Sequence, residues 1–103
     1  MLTLTQFANM LRKQFPTDKP IRVRRAQMPY ANISEKIRIY GDAQENEDHY
    51  LIRLNKDHDL QTQKDTLMHE YAHCIAGWDG VHSSHNERWG IFYARIYRYM
   101  VGD

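Results

Sequence analysis

A chain of 103 residues can build one core and has little room for a second, and 42% hydrophobic with 26% charged content excludes a disordered composition. Its single cysteine, Cys74, excludes an internal disulfide framework, and no apolar run is long enough to span a bilayer. The net charge of +1 hides an asymmetry: residues 1–40 carry eight Lys or Arg against two acidic residues, whereas residues 41–70 carry three against eight.

Residues 3–15 have Leu4, Phe7, Ala8, Leu11 and Phe15 at helical spacing, and Thr3 with Gln6 has the form of a capping box. Pro16 ends that helix, and residues 17–20 form a loop. Ile21-Arg22-Val23-Arg24-Arg25 alternates apolar and basic residues, as a half-buried strand does. Lys36-Ile37-Arg38-Ile39-Tyr40 repeats the pattern. Residues 41–48 are acidic and polar and read as a connection, and residues 49–54 are the third strand candidate. After a turn at 55–59, a helix from about Leu60 to Ala76 is set by Leu60, Leu67, Met68, Tyr71, Ala72 and Ile75. Glycines in 77–83 break it, and a third helix runs from about His85 to Met100. The expected fold is α+β within one domain spanning 1–103. It is a small three-stranded antiparallel or mixed sheet with an N-terminal helix and two helices carrying the site.

His69-Glu70-Tyr71-Ala72-His73 is an HExxH motif inside the second helix. Histidines four residues apart stand one turn above another on the same face, so both imidazoles reach a common point. Zinc takes neutral imidazole nitrogen readily, and catalytic zinc sites commonly use three protein ligands and a water. Glu70, rotated by about 100° around the helix, is positioned to act as general base toward that water. The downstream candidates for a third ligand are Asp79, His82, His85 and Glu87. Ser84 to Glu87 forms a second capping box, which fixes His85 in the first turn of the last helix and favours it over the loop residues. Trp89 lies one turn beyond His85 and can pack beneath it.

HEYAH, an eleven-residue gap and then His85-Asn86-Glu87-Arg88-Trp89 resembles the SprT-like zinc metallopeptidases over roughly residues 49–98. The resemblance implies zinc ligands His69, His73 and His85, Glu70 as catalytic acid/base, and a gluzincin-like minimal metalloprotease core. It implies zinc-dependent hydrolysis of peptide bonds in a protein or peptide substrate, with DNA-associated proteins among the candidates.

Three functions compete. The first is a zinc metalloendopeptidase. The second is a nucleic-acid-associated binding or regulatory module with a mainly structural zinc, served by the basic cluster Arg12, Lys13, Lys19, Arg22, Arg24, Arg25, Lys36 and Arg38. That cluster is equally explained as a solvated strand face and helix end. The third is a hydrolase of a non-peptide amide. Met1 to Gln6 lacks the basic start and apolar run of a signal peptide, so a cytoplasmic protein, bacterial or phage-encoded, is expected. Cys74 reads as a small core residue, and His49 and His58 as exposed. Tyr93, Tyr97 and Arg88 are candidates for oxyanion stabilisation to which no role is assigned.

Overall fold

The computed structural model describes residues 1–32, 34, 37–77 and 87–102. Helix α1 spans Leu4–Gln14, strands β1 to β5 span Ile21–Ala26, Tyr30–Asn32, Ile37–Arg38, Gly41–Glu45 and Tyr50–Asn55, and helices α2 and α3 span Leu60–Ala76 and Glu87–Met100. The first helix begins where its capping chemistry dictates. The Gln6 amide donates to the Thr3 hydroxyl at 3.1 Å, and the Thr3 amide donates to the Gln6 side-chain oxygen at 2.9 Å. Its buried face is Leu4, Phe7, Ala8 and Leu11, one stripe at three- and four-residue spacing.

The main sheet is mixed, in the order β1-β5-β4, with β1 parallel and β4 antiparallel to β5. This bears out the three-stranded sheet but exchanges one of its strands. Ile37–Arg38 is a two-residue strand in a separate antiparallel pair with Tyr30–Asn32. Arg38 draws it there, donating to the Met28 carbonyl and placing its guanidinium 4.0 Å from the Tyr30 ring centroid. The acidic stretch expected to be a connection supplies β4 instead. Its charges are met from β5 and from the loop before β1: Arg53 Nε donates to Asp42 at 2.9 Å, and Lys19 Nζ to Glu45 at 2.7 Å. An edge strand carries such polar residues without penalty, and its composition therefore resembles a loop.

Helix α2 lies across the sheet and buries residues all round: Leu67, Met68, Tyr71 and Ala72 are fully shielded, as are the polar Gln63 and Glu70 nearly so. Asp59 caps its start by accepting from the Thr62 amide at 2.8 Å, and Gly77 ends it with a φ of 80°. Gly41 sets how closely α2 approaches β4. A Cβ at that position would stand 2.5 Å from the Arg53 carbonyl oxygen and 2.8 Å from the Thr66 methyl. The Tyr71 hydroxyl donates to the Phe15 carbonyl at 2.7 Å and locks α2 to the end of α1. Helix α3 buries only Ile96, and Trp89, Phe92 and Tyr93 rest partly buried against the core. No helix among the described residues is long and apolar enough to cross a membrane.

Candidate active site

Four-residue spacing on α2 brings the His69 and His73 rings to 5.4 Å between centroids. Glu70 joins them: one ligand atom from each of His69, Glu70 and His73 lies within 4.8 Å of the others. His73 and Glu70 are 8% and 9% exposed, while the His69 side chain is 34% exposed, so the cluster opens to solvent on the His69 side. His69 Nδ1 stands 3.0 Å from Glu70 Oε2. With the proton on Nδ1, the lone pair of His69 falls on Nε2, one of the two forms in which the ring can ligate a metal. Two imidazoles and a carboxylate at this separation fit zinc by donor type.

Helix α3 closes one side. The Trp89 indole N–H donates to the His69 carbonyl at 3.2 Å, and its ring lies 4.9 Å from His69 and 5.5 Å from His73. Trp89 therefore braces both motif histidines of α2 directly, and its expected packing beneath His85 lies outside the described residues. Tyr93 stacks on Trp89 at 5.0 Å and reaches the His69 ring at 5.9 Å. Burial holds the Tyr93 hydroxyl above the ordinary phenol range, with Asp65 and Tyr97 adding to the shift. A cavity of about 400 Å³ opens beside His69 and Glu70. Tyr93 and Asp65 line it from the helices, and Tyr40 and Gly41 from the start of β4.

His85, the expected third ligand, lies outside the described residues, as do Asp79 and His82 and the Ser84 cap. Glu87 opens α3 and is exposed. Of the oxyanion candidates, Tyr93 alone lines the cavity. The Arg88 guanidinium lies 5.7 Å over the Phe92 ring, and Tyr97 is 45% exposed. Cys74 is buried as expected, and burial pushes its thiol up to about 12. His49 and His58 are half-buried, contrary to their reading as exposed. His49 pairs with Asp48 at 2.7 Å, and the His58 ring packs 4.6 Å from Tyr40. The residues missed from sequence were Tyr40, Gly41 and Asp65. Asp65 was legible, being four residues before His69 on the same helix face, but Tyr40 joins the site only because β4 pairs with β5.

The M78 peptidase family model, described as the IrrE N-terminal-like domain, matches residues 16–90, well over half of the chain. The chain belongs to this family. The match runs from β1 through the whole of α2 into the first turn of α3, so it takes in the sheet, the HExxH helix and Trp89. It places the chain in a zinc-peptidase-like family, though not specifically among the SprT-like enzymes. An HExxH helix occurs in more than one family of zinc hydrolases, so the motif by itself does not separate them. No curated protein and no solved structure gives a significant match.

Proposed function

We propose that this M78-family chain is a zinc-dependent metallopeptidase of the HExxH type, acting on internal peptide bonds of a protein or peptide. The observation that carries this reading is the His69, Glu70 and His73 donor cluster, of which His69 and Glu70 line an open cavity. His69 and His73 would hold the metal, with His85 as the third ligand. Zinc, when bound, supplies a Lewis acid that polarises the scissile carbonyl and acidifies a water.

Glu70 does the proton work. One carboxylate oxygen is held by His69 Nδ1, leaving the other to accept the proton of the attacking water. As the water oxygen bonds to the carbonyl carbon and the C–N bond breaks, Glu70 returns that proton to the departing amine. The outer edge of β4 offers a guide for the substrate. Asn55 donates to the Tyr40 carbonyl, and Asn46 to that of His49, which fixes the alternation of the β4–β5 ladder. The backbone groups of Gly41, Ala43 and Glu45 therefore point away from β5, where an extended peptide can pair with them.

A proteolysis assay of zinc-loaded wild type and Glu70→Gln, with and without single-stranded DNA, tests the reading. Wild type cleaves a loosely folded protein and Glu70→Gln does not. Undiminished cleavage by Glu70→Gln removes Glu70 from the mechanism.

The DNA arm addresses the second reading. Of the basic cluster, Arg12, Lys19, Arg25 and Arg38 are bonded to the Ile21 carbonyl, Glu45, Gln63 and the Met28 carbonyl. Arg22 and Arg24 stand exposed on β1 and are the residues through which a nucleic acid would be contacted. Salt-sensitive DNA binding that is lost on Arg22→Ala/Arg24→Ala supports that contact, and unchanged binding overturns it.

A further inference from the structure

The cavity beside His69 has a wall chemistry that the hydrolysis itself does not use. Asp65 and His69 are four residues apart on α2, which puts the Asp65 carboxylate on the same face, displaced by about 6 Å along the helix axis. Asp65 is exposed, and its described partner is the Gln61 amide, which donates to Oδ1 at 3.0 Å. That bond leaves Oδ2 for a further donor. Two phenol rings line the same cavity, Tyr40 from just before β4 and Tyr93 from α3. Tyr40 is 60% exposed and held by the His58 ring, while Tyr93 is fixed by its stack on Trp89. No Lys or Arg lines this cavity among the described residues.

Resting on the peptidase reading, we infer that this cavity is a specificity subsite for a basic side chain, arginine before lysine, flanking the scissile bond. A residue seated at His69 and Glu70 needs a long side chain to reach a carboxylate one helical turn away. Arginine and lysine have apolar stems that can lie along the rings of Tyr40 and Tyr93. Their cationic heads then meet the carboxylate of Asp65 and the negative faces of the rings. Arginine has the advantage, because its planar guanidinium stacks on aromatic rings and forks onto a carboxylate. A glutamate in the same place would meet Asp65 as a like charge, and a leucine would be too short to cover the rings.

The test is a binding measurement, so it does not depend on turnover. Decapeptides of alanine, serine and glycine with one central Arg, citrulline, Lys, norleucine or Glu are titrated by fluorescence polarisation into zinc-loaded Glu70→Gln protein. The Arg peptide is expected to bind about tenfold more tightly than the citrulline peptide, and Lys more tightly than norleucine, with Glu weakest. Asp65→Asn, a surface change beside an exposed Gln61, is expected to remove most of the Arg–citrulline difference, leaving the smaller part due to the rings, without changing the thermal midpoint. Raising the salt is expected to narrow that difference. Tyr40→Ala weakens both peptides through the lost stem packing, and the Arg peptide somewhat more through the lost ring–cation contact. Equal binding of Arg and citrulline peptides, or a preference undiminished by Asp65→Asn, overturns the assignment. If the preference holds but wild type cleaves no peptide, the peptidase reading fails and the basic subsite stands.

Discussion

Helices α2 and α3 are of similar length and pack against each other, yet they are built on opposite plans. The first is buried on nearly every side, down to the polar Gln63, Lys64 and Glu70, and only one narrow face, at His69, reaches solvent. The second buries Ile96 alone and exposes Ile91, Tyr97 and Tyr99. A helix enclosed by strands and helices holds the side chains of its donor cluster within a small angular range, as a metal site needs. A wall helix attached through Trp89, Tyr93 and Ile96 shapes the cavity without carrying the fold. The buried core and the donor cluster are thus concentrated on one helix, and the cavity wall on its neighbour.

Substitutions on the two helices test that difference. Leu67→Ala on α2 removes a side chain with no exposed surface and should cost about 2–5 kcal/mol in urea unfolding, whereas Ile91→Ala on α3 should stay within about 0.5 kcal/mol. Similar losses at both positions would end the distinction. Gly41→Ala drives a methyl into the Arg53 carbonyl and the Thr66 side chain and should destabilise by about 1–3 kcal/mol. Adding Thr66→Ser relieves the side-chain clash but leaves the carbonyl one, so the double variant should recover only part of the loss.

Alkali probes the burial of α2. Burial raises Cys74 from 9.0 to about 12 and Tyr71 from 10.0 to about 12, so the folded chain keeps protons that the unfolded chain releases. Stability is therefore intact below pH 9 and falls between about pH 9 and 12, by up to about 1.4 kcal/mol per pH unit for each group. Cys74→Ala should flatten the onset of that fall in pH-dependent denaturation, and an unchanged slope would remove Cys74 as its source. On α3 the smallest change acts on function. Trp89→Phe loses the bond to the His69 carbonyl and should weaken zinc binding about tenfold, with little change in unfolding. An unfolding loss as large as that of Leu67→Ala would show α3 to be structural after all.

The same division explains what could be read from the residues in order. Both ends of α2 and its HExxH turn follow from local rules, because the periodicity, the turn before it and Gly77 lie within one segment. The N-terminal helix was equally legible from Thr3, Gln6 and its stripe. Strand β4 was not, since its five residues, Gly-Asp-Ala-Gln-Glu, become a strand only when Arg53 and Lys19 arrive to pair with them. The cavity inherits that difficulty: its α2 side, His69, Glu70 and Asp65, could be placed by helix geometry, and its β4 side could not. Trp89 was recognised as a packing residue of the site, but its contact with both motif histidines depends on how α3 docks.

The claim on which the rest depends is that the α2 histidines bind the metal. Native mass spectrometry of protein exchanged into a zinc-containing volatile buffer tests it most directly. Wild type and Glu70→Gln should each carry about one zinc per chain, and His73→Ala, folded by circular dichroism, should carry none. A folded His73→Ala protein that keeps its zinc would place the metal elsewhere and contradict the account.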